Sequence, residues 1–190
     1  MSLQSYGETL ITQPDAGTLF NTYTTAKRVI NTDALYTLPA NWCKIGRKLR
    51  VNMQGAISNI VTTPGLMNFQ VIFGTIAVYD SGNIQLNATA HTTLPFWAQI
   101  DLTCRAIGDT ASANFMGLGI FSGRMFTLTA GNTDANNDHM PTIIAPATAP
   151  VVGTGFDSTI ANIINLFVGF TISNAGNGIR IDQYELVALN

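Results

Sequence analysis

Phe96-Trp97-Ala98-Gln99-Ile100-Asp101-Leu102-Thr103-Cys104-Arg105-Ala106 is the stretch on which the fold turns. Successive side chains of an extended strand point to opposite faces, so Phe96, Ala98, Ile100, Leu102, Cys104 and Ala106 line one face. Gln99, Asp101, Thr103 and Arg105 line the other. The first face needs a second layer to cover it, and the second meets water. Trp97 breaks the division, because its indole falls on the outward parity.

The same alternation recurs on both sides of this segment. In Lys48-Leu49-Arg50-Val51-Asn52-Met53-Gln54, the apolar Leu49, Val51 and Met53 oppose Arg50, Asn52 and Gln54. Leu166, Val168, Phe170 and Ile172 alternate with Asn165, Phe167, Gly169, Thr171 and Ser173, which puts a second aromatic, Phe167, on an outward face. The turn Asn174-Ala175-Gly176-Asn177-Gly178 leads on into Ile179 to Leu189, and the pair is predicted to form an antiparallel hairpin. Within that last strand Ile179 and Ile181 hold one parity while Tyr184 and Leu186 hold the other, which predicts a β-bulge near Asp182-Gln183.

Shorter strands are predicted at 35–38, 56–61, 67–79, 84–86, 113–121 and 125–128. Thr63-Pro64-Gly65, Asp80-Ser81-Gly82-Asn83 and Gly108-Asp109 supply turns between them. No amphipathic helix of three turns is legible. Many short strands with an antiparallel habit point to an all-β fold, an antiparallel two-sheet β-sandwich with a jelly roll as its expected topology. Residues 33–190 form the sandwich. Residues 1–32, rich in Thr, Gln and Asn without sustained alternation, are expected to be an extended N-terminal arm, and 130–158 reads as a long loop.

Composition narrows the class. Charged residues are 11% of the 190, less than half of the ~25% usual in soluble domains, while 46% are apolar. Neutral polar side chains, or contact with other subunits, must therefore cover the surface. A chain of this size can remove roughly 70% of its unfolded-state surface from water, so its core needs neither metal nor disulfide. Cys43 and Cys104 sit among apolar neighbours and read as small buried hydrophobes. A disulfide would require the fold to bring them into bonding range. The first eight residues lack the cationic start and apolar run of a secretory signal, so export by that route is not expected. The apolar stretch 160–172 is too short and too polar to cross a bilayer, and no membrane partner is expected.

Residues 1–50 hold six cations and three anions, and residues 51–190 hold three cations and eight anions. The basic N-terminal third suits docking on an acidic surface. Nucleic acid is not an expected partner, because such a site wants a denser basic stripe with exposed aromatics.

No motif carries catalysis. His91 and His139 lie in different loops, no Gly-x-Ser-x-Gly elbow is present, and Cys104 is expected to face the core. None of the eleven acids is singled out as a carboxylate pair for glycoside hydrolysis. Asp101 and Arg105 read as partners of neighbouring strands or subunits. Asn132, Asp134, Asn136 and Asp138 imitate the start of a calcium loop, but its sixth and twelfth positions are Asn137 and Ile143. No metal is assigned. Gly117-x-Gly119-x-x-x-Gly123 and Gly153-x-Gly155 lie outside any strand-to-helix context, so they mark bulges or close backbone approach, and no nucleotide or other cofactor is expected. The chain is therefore read as a non-enzyme, whose outward Trp97 and Phe167 suit a subunit interface or a platform for stacking carbohydrate.

Several blocks together resemble the jelly-roll capsid decoration (cement) proteins of tailed bacteriophages. They are Tyr36-Thr37-Leu38-Pro39-Ala40-Asn41, Leu49 to Gly55, Ile100 to Arg105, Met116-Gly117-x-Gly119, and Gly155-Phe156-Asp157-Ser158-Thr159 with the terminal strands. The resemblance spans about residues 33–190. It implies a homotrimeric knob on the outer surface of a capsid, clamping adjacent copies of the major capsid protein. Lys27, Arg28, Arg47 and Lys48 would then dock on the shell, and Trp97 and Phe167 would make the trimer contact. Related jelly rolls also occur in head fibres and tail appendages, which leaves a host-recognition or carbohydrate-binding module as the alternative.

Overall fold

A computed structural model describes residues 7–60, 63–127, 140–147 and 152–189. Within them the chain is an antiparallel two-sheet sandwich. The first sheet runs in the order β1 (Gly7–Thr12), β14 (Gly178–Leu189), β5 (Lys48–Asn59), β9 (His91–Ala106), β10 (Asn114–Gly123) and β12 (Thr142–Ala145), with β2 (Phe20–Asn21) also on β14. The second runs β11 (Phe126–Thr127), β8 (Ile84–Leu86), β6 (Leu66–Phe73), β13 (Asn162–Phe170) and β3 (Lys27–Arg28), with β4 (Tyr36–Leu38) on β13 and β7 (Ile76–Asp80) on β6. The one helical element among the described residues is a 3-10 turn at Thr32–Ala34.

The alternation read in the sequence sets the layers. Phe96, Ala98, Ile100, Leu102 and Cys104 of β9 and Leu49, Val51 and Met53 of β5 are all buried between the sheets. Across the gap, Phe73 meets Phe115 and Phe156 edge-on at 5.4 and 5.1 Å between ring centroids, and Phe69 packs on Phe121 at 4.7 Å. Tyr79 crosses from β7 and donates its hydroxyl to the Ala145 carbonyl of β12 at 2.9 Å. Gly117 and Gly119 leave the room it occupies, since a Cβ on either would meet the Tyr79 ring or hydroxyl. The predicted bulge is present: Ile181 faces Gly55 and Gln183 faces Gln54, so Asp182 is the extra residue.

Four expectations are corrected. The segments 165–173 and 179–189 do not form a hairpin, because β13 belongs to the second sheet and β14 to the first. Both strands carry one apolar face, and that pattern fits either sheet equally. The crossing between them is held by Asn177, a buried side chain that donates to the carbonyls of Pro64 and Ile172 and accepts from the Ile60 N–H. The predicted strand 67–79 is two strands, β6 and β7, turned at Gly74 with φ +60°. A single glycine inside an apolar run gave too weak a signal for a turn. The span 130–158 is not wholly loop, since it contains β12 and contributes Phe156 to the core. Residues 128–139 and 148–151 of that region lie outside the described residues. Finally, 56–61 is not a separate strand but continues β5.

Residues 7–32 run extended, and they are docked on the sandwich. β1 and β2 pair with β14, β3 pairs with β13, and Tyr23, Val29 and Ile30 are buried.

Candidate functional site

The outer face of the first sheet forms a polar platform, and the strand register sets its rows. In one row Gln183 of β14, Gln54 of β5, Trp97 of β9 and Ser122 of β10 stand side by side. In the next, Thr12, Glu185, Asn52, Gln99 and Ile120 do the same. Trp97 is 38% exposed, a large value for an indole in mid-strand. Beside it a cavity of about 310 Å³ opens at the bulge, lined by Thr12, Asn52, Gln54, Gln183 and Glu185.

The bulge shapes that cavity. It brings the Arg180 carbonyl onto Gly55, where any Cβ would collide with it. Arg180 and Asp182 then clasp across the bulge at 2.6 Å. Glu185 is held by two donors, the Thr9 hydroxyl at 2.8 Å and the Asn52 amide at 3.1 Å. One row further on, Arg50 forks onto Asp101 with bonds of 2.7 and 2.9 Å. Both charges are thereby matched within the sheet. What faces solvent is an indole plane surrounded by amides, each able to donate and accept.

The six residues read from the sequence as an interface fall in three places. Trp97 is on the platform. Lys27, Arg28 and Phe167 come together where β3 pairs with β13 and Arg28 lies across from Phe167. There they line a groove of about 680 Å³ with Phe20 and Asn165. Arg47 is committed locally: its guanidinium lies 4.3 Å from the Trp42 ring centroid and donates to the Trp42 carbonyl at 2.7 Å. Lys48 starts β5, exposed, across from Thr103 and Leu189. Trp97 and Phe167 do not share one continuous surface of the chain, because the two aromatics point out of different sheets.

A third surface was missed in the sequence. Leu118 and Ile144 are 37% and 59% exposed on the outer face of β10 and β12, and Ile120 lies directly across from Ile144. Leu118 lies in the strand expected at 113–121, whereas Ile144 belongs to β12, which the sequence conceals within a loop.

Among the described residues both cysteines and His91 are buried. Cys43 and Cys104 are both free and buried, and the Cys104 thiol donates to the Ala106 carbonyl at 3.4 Å. Burial, reinforced by Cys104, pushes the Cys43 thiol up to about 12, away from the reactive thiolate. His91 is buried with Nδ1 3.0 Å from Asn59 Oδ1. His139 and the calcium-like run 132–138 lie outside the described residues. Among the described residues no three His, Cys, Asp or Glu side chains cluster as a metal site.

This geometry defines a β-sandwich with a polar, aromatic-bearing sheet face and a separate basic groove. No protein-family model matches the chain, and no curated protein matches it. A solved structure described as the CBM2 module of the evolved Dit of Lactobacillus casei BL23 phage J-1 is similar at 12% identity and a TM-score of 0.34. The alignment covers 99% of this chain and 98% of that one.

Proposed function

We propose that this chain is a non-catalytic module of a phage virion that binds neutral saccharides through the Trp97 platform. The virion setting follows from the resemblance of its sequence blocks to structural proteins of tailed phages. The binding function is carried by one observation: an exposed indole fixed in mid-strand beside a cavity lined by amides. A pyranose presents an apolar C–H face, which stacks on an aromatic plane, and a rim of hydroxyls, which pair with groups that both donate and accept. Gln54, Gln183 and Asn52 are such groups. With Arg50 and Asp101 matched to each other, no cation among the described residues lines the cavity, and Glu185 there disfavours an anionic sugar. A glycan array tests this directly. Neutral oligosaccharides should be retained by the intact protein and lost by Trp97→Ala and Gln54→Ala; retention of the same glycans by both variants would refute the platform.

A second reading, capsid decoration, is favoured by the Leu118, Ile120 and Ile144 stripe. Three apolar side chains facing water on a sheet edge suit a contact with another copy or with the major capsid protein. Ile144→Asp should then abolish saturation of purified heads by the protein, and unchanged saturation would count against it.

A further inference from the structure

The groove between β2, β3 and β13 has a chemistry that the platform lacks. Among the described residues the ion pairs are Arg50 with Asp101 and Arg180 with Asp182, so neither Lys27 nor Arg28 is neutralised by a carboxylate. Arg28 gives one N–H to the Thr32 hydroxyl at 3.2 Å, and the Lys27 ammonium lies 5.4 Å from the Tyr23 ring centroid. Both stand on a fixed backbone. β3 is in register with β13, the Val29 N–H donates to the Leu166 carbonyl at 3.0 Å, and the Asn31 N–H donates to Gln13 Oε1 at 2.9 Å. The buried Val29 and Ile30 anchor the segment from below. Little ordering is left for a ligand to impose.

We propose that this groove binds a saccharide carrying a carboxylate or phosphate group, independently of the Trp97 platform. Its volume, about 680 Å³, lies within the range of roughly 300–1,000 Å³ typical of small-ligand sites. Arg28 presents a planar fork and Lys27 a point charge, the two donor types that hold carboxylates and phosphates. Phe20 and Phe167, half-buried in the walls, offer apolar surface for the C–H face of a sugar ring. Asp33 lines the same groove, and it decides between classes of ligand. Its carboxylate accepts sugar hydroxyls, donors that the side chains of an acidic peptide do not offer, so an acidic peptide is the poorer fit.

Calorimetric titration of the full chain with tetragalacturonate, its methyl ester, galactose 6-phosphate and hexaglutamate tests the assignment. Tetragalacturonate or galactose 6-phosphate should bind, and whichever binds identifies the anionic group. The methyl ester and hexaglutamate should each bind at least tenfold more weakly than the better anionic sugar, and raising the salt should weaken the anionic sugar. Lys27→Gln with Arg28→Gln should cost at least tenfold, Arg28→Lys should fall between, and Trp97→Ala should change nothing at this site. Unchanged melting and circular dichroism of the double variant separate lost binding from lost folding. Equal affinity for acid and ester, full binding by the folded double variant, tighter binding of hexaglutamate, or no binding of either anionic sugar would each overturn the proposal.

Discussion

The Trp97 platform stands on the outer face of the first sheet, the Lys27–Arg28 groove lies where β3 and β13 of the second sheet meet β2, and the two are assembled from different kinds of chain. The platform stands on β5, β9 and β14, strands of 12 to 16 residues paired in long register. The groove joins a two-residue strand, a 3-10 turn and one face of β13. Around the cavity the platform carries no cation, only Glu185 held by Thr9 and Asn52, whereas the groove keeps cations without carboxylate partners. Long regular strands yield a broad surface rich in amides, and a docked segment yields a groove with two cations.

The contrast can be stressed from beneath, beginning with alkaline pH. Cys43 has an ordinary value of 9.0 and is raised to about 12 in the fold, so the stability linked to it is fully present below pH 9 and is lost as pH rises toward 12. Three units at about 1.4 kcal/mol each set a ceiling on the order of 4 kcal/mol. Burial also raises Tyr23 under the groove and Tyr184 under the platform, which acts in the same direction. Denaturant midpoints should fall from pH 9 upward, and Cys43→Ala should flatten that fall. A flat profile in the parent chain would contradict the buried thiol.

Gly55→Ala strikes the platform alone. A methyl group on the Arg180 carbonyl forces the bulge open at a cost of about 3 kcal/mol, read by urea unfolding. Binding of neutral saccharide should suffer with it, while the groove keeps its anionic ligand.

Two tyrosines sharpen the comparison further. Tyr79→Phe leaves the Ala145 carbonyl without its buried donor and should cost about 1–2 kcal/mol. Tyr23, packed on Phe170 below the groove, has a buried hydroxyl with no partner among the described residues, so Tyr23→Phe should leave the melting temperature unchanged or raise it. Equal losses in the two variants would mean that the Tyr23 hydroxyl has a partner.

The smallest effect is expected at Arg50 and Asp101. Both side chains are about a third exposed, at 34% and 35%, so Asp101→Asn should cost no more than about 1 kcal/mol despite the bidentate geometry. A larger loss, read by the same unfolding curves, would show that the pair organises the platform rather than decorating it.

The same contrast explains what could be read in advance. Alternation alone placed Phe96 to Cys104 in the core, Trp97 outside it, and the parity slip at Asp182. It said nothing about which strands are neighbours. Gln183 and Gln54 belong to separate strands with no hint in the sequence that they are neighbours beside Trp97, and the pattern of 165–189 fits a hairpin although its two strands enter different sheets. Phe167 was recognised as outward, and Lys27 and Arg28 as basic. Their meeting depends on β3, two residues without a period to detect. Phe156 was lost within a Pro, Ala and Gly run because a single core aromatic makes no pattern.

The chain has two tryptophans, and the platform claim separates them. Trp97 faces solvent beside the amide-lined cavity, whereas Trp42 is engaged by Arg47. Titration of the nitrogen-15-labelled protein with a neutral oligosaccharide retained on the array, followed at the two indole N–H resonances, is the most direct test. Saturable movement of the Trp97 resonance with Trp42 unmoved is the expected result. Saturable binding that leaves Trp97 in place would contradict the platform.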